Sequence, residues 1–169
     1  VKLFAYPFGE YNNAILEIVD ALGYTGFGQQ SGPLAPFSDP RVLPRFPFGG
    51  PYGDPQDFAT KVISLPMPLA VDAEPIRLES AAGEQLLDIF PQGSVARPVL
   101  VLQFEQGFDT GRVNCFISGQ GRAPVRSEKT RVLVQAQDPL PAGRARYNCT
   151  ARSDQAGRFH WYSQPWIIK

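Results

Sequence analysis

The sequence predicts an α+β chain in two parts: a strand–helix–strand unit over residues 1–65, then an antiparallel β-sandwich over residues 66–169. Three observations carry that expectation. Apolar residues recur at helical spacing near the start, as Ile15, Leu16, Ile18, Val19 and Leu22. Short apolar runs flank that helix on both sides, and the order strand, helix, strand points to parallel pairing. Beyond residue 66 no helical period persists, and short alternating segments separated by turn residues take over.

Taken in order, residues 1–6 form an apolar strand ended by Pro7 and Gly9. Glu10, Tyr11, Asn12 and Asn13 lead into the helix. The Asn side chains suit its N-cap, and Gly23 suits a left-handed close. Residues 24–27 give the second strand. From 31 to 55 the density of Pro and Gly excludes a helix or a central strand. Phe37, Phe46, Phe48 and Tyr52 interleave with those prolines and favour a packed loop over a disordered one. Asp54 caps a short helix over 57–63, with Pro55 in its first turn. The boundary falls at 66–74. Strands follow at 76–80, 86–90, 99–105, 113–118, 124–126, 131–137, 144–151 and 158–166, a pattern that describes a β-sandwich.

The period of two assigns strand faces. Ala145, Tyr147, Cys149 and Ala151 share one face, while Arg144, Arg146, Asn148 and Thr150 share the other. Val113, Cys115 and Ile117 align in the same way, so both cysteines face inward. Tyr147 stands two residues before Cys149, the tyrosine-corner spacing of immunoglobulin-like sandwiches, which places Cys149 where a sandwich bridge would sit. The Trp expected a dozen residues after the first cysteine is missing. The architecture is therefore immunoglobulin-like without the family's full signature. A Cys115–Cys149 bridge and two reduced cysteines packed as small apolar residues both fit this placement.

Charge and histidine content close several functional classes. Lys and Arg number 16 and Asp and Glu number 16, so the formal net charge is zero and the basic surplus of a nucleic-acid binder is lacking. No apolar run approaches the roughly 20 residues of a membrane span. His160 is the only histidine, so no two-histidine metal site can form within the chain, and any catalytic triad would need it as base. Its place between Phe159 and Trp161 fits a structural role better than a catalytic one. Asp109-Thr110-Gly111 matches the aspartic-protease tripeptide, but that chemistry shares a proton between two carboxylates and the chain has one copy; a turn is the better reading. Asn148-Cys149-Thr150 is formally a glycosylation sequon, discounted because it lies inside a strand. Gly119-Gln120-Gly121 with Arg122 has no following helix to aim at a phosphate and reads as a turn. Trp161 and Trp166 stay open to two readings, as platforms for sugar rings or as packing in the core or at a domain interface.

Phe4-Ala5-Tyr6-Pro7-Phe8-Gly9-Glu10-Tyr11-Asn12, then a helix, then Leu22-Gly23-Tyr24, resembles the third motif region of NodB-like polysaccharide deacetylases. There a strand ends in Pro-aromatic-Gly and leads into a helix and a Leu-Gly-Tyr turn. Leu43-Pro44-Arg45-Phe46-Pro47 is similar to a segment of periplasmic or secreted members, and the strands over 143–150 and 159–166 resemble the accessory C-terminal domain of bacterial members. The resemblance implies that residues 1–65 are the C-terminal part of a β/α deacetylase barrel and residues 66–169 its β-sandwich accessory domain. It implies a periplasmic or secreted bacterial hydrolase of carbon–nitrogen, non-peptide bonds, a carbohydrate esterase that removes acetyl groups from a carbohydrate polymer. A divalent metal, zinc, is expected in the full-length parent on an Asp-His-His triad, with none held by this chain. Phe8 carries over as the backbone N–H that stabilises the oxyanion, Tyr6 and Pro7 as groove wall, and Arg45 as a substrate contact. An exported setting also favours the oxidised Cys115–Cys149 pair.

The departures from the pattern bear on activity. Ala5 stands where the family has Arg, and Leu65-Pro66-Met67 offers no histidine where Leu-x-His would supply a general acid. The triad is missing too, so the chain reads as the C-terminal portion of a longer protein, inactive by itself. A non-catalytic carbohydrate-binding or cell-envelope interaction module is the competing expectation, and an inactive barrel-derived scaffold a third. Two strands cannot close a barrel. Their edges and apolar faces need covering, so the missing N-terminal half or a second chain is expected as a partner.

Overall fold

A computed structural model describes residues 1–70, 89–90 and 97–168. The chain is mixed α+β, mostly strands in several sheets with few helices. The expected strand at 76–80 and residues 86–88 of the next one lie outside the described residues.

In the first part, β1 (Leu3–Ala5) pairs in parallel with β2 (Thr25–Phe27), with Leu3 opposite Thr25 and Ala5 opposite Phe27. Between them runs α1 (Asn13–Ala21), started by the Asn12 carboxamide, which accepts from Ile15 N–H at 3.0 Å. Gly23 follows at φ 67, the left-handed close that its lack of a Cβ permits. Tyr6, Tyr11, Leu16 and Val19 are buried together, with Val42 packed against them. The Pro-rich loop is indeed packed. Leu43 N–H donates to Gly26 O at 2.8 Å, and Gly28 N–H donates to Leu43 O at 3.0 Å. Gly26 is needed for that approach, since a Cβ there would lie 1.9 Å from Arg41 O. Helix α2 (Pro55–Val62) begins at Asp54, whose carboxylate accepts from Gln56 and Asp57 N–H.

Nine strands fill the rest of the described chain: β3 (Leu65–Pro66), β4 (Ile89–Phe90), β5 (Val99–Gln103), β6 (Val113–Ile117), β7 (Gly121–Arg122), β8 (Val125–Glu128), β9 (Arg131–Gln135), β10 (Gly143–Arg152) and β11 (Phe159–Ile168). One sheet runs β3-β11-β10-β6-β7, with β4 also on β11; the other runs β5-β9-β8. The antiparallel expectation needs one correction, because β3 and β4 join β11 in parallel. Both sheets feed one core: Leu100, Leu102, Val132 and Val134 from one meet Cys115, Tyr147, Cys149 and Trp166 from the other.

Cys115 and Cys149 are bonded. They sit directly opposite each other on β6 and β10, with Cα atoms 4.1 Å apart. The bridge therefore staples neighbouring strands of one sheet and does not cross between sheets. Crossing falls to Tyr147. Its hydroxyl donates to Pro98 O at 2.9 Å and accepts from Ala136 N–H at 3.0 Å, reaching the ends of β5 and β9.

Candidate functional site

The first part docks on the larger sheet through a few polar contacts. Arg144 Nη1 donates to Phe8 O at 2.6 Å, Arg158 Nε donates to Ile63 O at 2.6 Å, and Arg146 Nη1 reaches Ser31 Oγ at 3.3 Å. Between α1, the loop after β2, β5 and β11 the docking leaves a cavity of about 580 Å³. That volume lies within the range of small-molecule sites, roughly 300–1,000 Å³. Tyr11, Phe37, Trp161 and Tyr162 supply aromatic walls, and Gln30 and Gln164 supply amides.

The walls carry little net charge. Asp39 and Arg41 form an ion pair at 2.7 Å. Burial pushes the Asp39 carboxyl up, but the hydrogen bonds and charge of Arg41 outweigh it and hold the group below its ordinary value. The same bonds raise Arg41. Burial raises the hydroxyls of Tyr11 and Tyr162, which therefore stay neutral. Glu17 lies exposed on the lining.

Two polar atoms on lining residues are buried without a partner among the described residues, Gln30 Oε1 and Trp161 Nε1. The other end of the Gln30 amide is fixed, donating to Val42 O at 2.7 Å. Trp161 packs edge-on against Phe46, ring centroids 5.2 Å apart. Buried polar groups are nearly always paired, so an orphan acceptor and an orphan donor on one cavity call for a physical reason.

The residues singled out from the sequence scatter over three environments. Trp161 lines the large cavity. Phe8 and Trp166 line a second hollow of about 30 Å³, room for about one water. Tyr6 is a core residue whose hydroxyl donates to Arg41 O at 2.6 Å. Pro7 and Phe8 are exposed in the turn after β1, where Phe8 adopts φ 55 under the Arg144 guanidinium. Arg45 lines neither hollow and donates Nε to Gly28 O at 2.9 Å. Trp166, 2% exposed and edge-on to Tyr147, turns its ring into the core and gives a sugar no face to stack on. Gln30, Asp39 and Arg41 were missed by the sequence reading. Their one sequence signal is polar residues at the edge of a Pro-rich loop or within it, which loops share generally.

The turn motifs are turns. Asp109 accepts from Gly111 N–H at 3.0 Å, and Gly119 and Gly121 hold φ 75 and 73. Asn148 lies within β10 and accepts from Ser163 Oγ at 2.6 Å. His160 Nδ1 lies 2.8 Å from Pro66 O; a carbonyl only accepts, so Nδ1 carries the proton and the ring ties β11 to β3.

The residues present do not fit a catalytic zinc. Among the described residues no three His, Cys, Asp or Glu side chains converge, and both cysteines are bonded. No helix among the described residues is long and apolar enough to cross a membrane. No family model, curated protein or solved structure matches the chain.

Proposed function

We propose that this chain is the C-terminal portion of a polysaccharide deacetylase exported to the periplasm or beyond, a barrel end joined to an immunoglobulin-like sandwich. The observation that carries the reading is the turn after β1. Phe8, a non-glycine residue, is held at φ 55 at the C-terminal end of a parallel strand, just before a capped helix. In parallel β/α structures the working groups gather at that end of the strands, and strained backbone clusters at functional sites. In this reading the Phe8 N–H meets the oxyanion of the substrate amide, with Tyr6 and Pro7 fixing the turn and Arg45 holding the next loop through Gly28 O. The exposed Leu3, Phe4, Ile18 and Leu22 on β1 and around α1 support a covering segment or second chain. The metal that this reading requires would be held by residues outside this chain.

Acetate release from an acetylated glucosamine oligomer tests the reading, comparing the full-length product of the gene with this chain alone, each with zinc supplied. Release by the full-length protein only is the expected result. Turnover by the 169 residues alone overturns it, as does no turnover by either. A second reading, a non-catalytic carbohydrate-binding or cell-envelope module, is favoured by Trp161 on the wall of the large cavity.

A further inference from the structure

We infer that the cavity between the first part and the sheets binds an uncharged saccharide of one or two rings; the inference rests on the second, carbohydrate-binding reading. Size, wall chemistry and the orphaned atoms each narrow the ligand. At about 580 Å³ the space suits a small molecule and is far too small for a folded partner. Its walls combine the aromatic side chains of Tyr11, Trp161 and Tyr162 with the uncharged amides and hydroxyl of Gln30, Gln164 and Ser31. Sugar rings present the matching pattern, apolar C–H faces bounded by hydroxyls. The buried wall offers an ionic ligand no free charge, because Asp39 and Arg41 already neutralise each other, burial keeps both tyrosines protonated, and the remaining lining carboxylate, Glu17, lies exposed to solvent.

The orphaned atoms are an acceptor, Gln30 Oε1, and a donor, the Trp161 indole N–H. Both atoms are closed off from solvent in the free chain, so a ligand meets them only as their side chains turn toward the cavity, and a hydroxyl, which both donates and accepts, then answers either one. The Gln30 amide cannot relieve itself by flipping, since its nitrogen is committed to Val42 O. A purely aliphatic ligand would leave both atoms unpaired, and a charged amine would answer only the acceptor.

The test titrates the folded chain with N,N′-diacetylchitobiose as the uncharged probe, glucosamine as the charged one, and octanol as the apolar one. The indole N–H signals of Trp161 and Trp166 are followed by ¹⁵N-resolved NMR. The uncharged disaccharide is expected to saturate and move the Trp161 signal, with Trp166 as internal reference. W161F, which keeps a ring against Phe46 but removes the N–H, is expected to weaken binding about tenfold, the scale of one lost hydrogen bond. Saturation by octanol alone, or by glucosamine as tightly as by the disaccharide, overturns the inference. Disaccharide binding that leaves the Trp161 signal still and W161F unaffected overturns the cavity site while the carbohydrate-binding reading stands. No saccharide binding by the unmodified chain overturns both. The signal shift is read on the unmodified chain, so a misfolded variant does not blunt the test.

Discussion

The two parts of the molecule are held by different means. Among the described residues the strand-rich part gathers eighteen buried apolar residues in one cluster, with a disulfide and the Tyr147 clamp inside it. The first part gathers four, and two of those are tyrosines that carry a hydroxyl into the interior. Leu3, Ile18, Leu22 and Val62 meanwhile stand on its surface. Burial energy scales with the apolar area removed from water. The strand-rich part thus carries its own stability, and the first part leans on it through Arg144 and Arg146 of β10 and Arg158 just before β11. The lesson is hierarchy: the first part should open before the sheets do.

The disulfide gives the largest way to break this contrast. Cys115 and Cys149 close a loop with a sequence separation of 34. In the chain-entropy account, removing the bridge by reduction or in C115A/C149A costs about 3–4 kcal/mol. Denaturant unfolding should show that loss in the strand-rich part, and native-state hydrogen exchange should place it at β6 and β10 amides, with α1 amides unchanged. Mass spectrometry of the unreduced protein supplies the control, since two alkylatable thiols there would remove the premise.

Tyr147 comes next. Tyr147→Phe keeps the ring against Trp166 but strands the Ala136 N–H and the Pro98 carbonyl, at about 1–3 kcal/mol. The same hydroxyl has a pH signature. Burial pushes it up to about 12 from an ordinary 10.0. Above pH 10 the unfolded chain releases this proton while the folded chain keeps it, so the contribution is full below pH 10 and is lost as pH rises towards 12. Tyr11 and Tyr162 are raised by burial as well, so part of the alkaline loss survives in the variant. Stability measured at pH 9 and near pH 11.5 should fall less steeply in Tyr147→Phe than in the unmodified chain. Equal slopes would mean that the buried hydroxyl is not what titrates.

What the sequence made legible follows the range of the physics. The Asn12 cap, the Gly23 close, the Asp54 cap and the two faces of β10 are local, and each was readable from spacing alone. Strands β3 and β4 were not readable as parallel partners of β11: two residues carry no period, and their register is set by residues far along the chain. Both cysteines were readable as inward-facing, yet not as neighbours in one sheet, because face and sheet order are independent facts. The cavity has no sequence signal of its own. Gln30 comes from a loop, Tyr11 from the approach to a helix and Trp161 from a strand, and they meet only once the two parts are docked.

The smallest effect sharpens the contrast most, because it acts on the first part alone. Helix α1 has nine residues, too few to persist without a cap and a packed face. Only Leu16 and Val19 are buried along it, so the Asn12 carboxamide on the Ile15 N–H carries an unusual share of its stability. Asn12→Ala should cost about 1 kcal/mol, and Asn12→Asp should restore most of it by offering the same acceptor at the positive end of the helix. In native-state exchange that cost appears as roughly fivefold faster opening of α1 amides, with β6 and β10 amides unmoved. The rescue excludes a mere loss of side-chain volume, since Asp and Asn differ little in size. If the amides of β6 and β10 accelerate by the same factor, the two parts open as one unit, and the hierarchy inferred from their unequal cores does not hold.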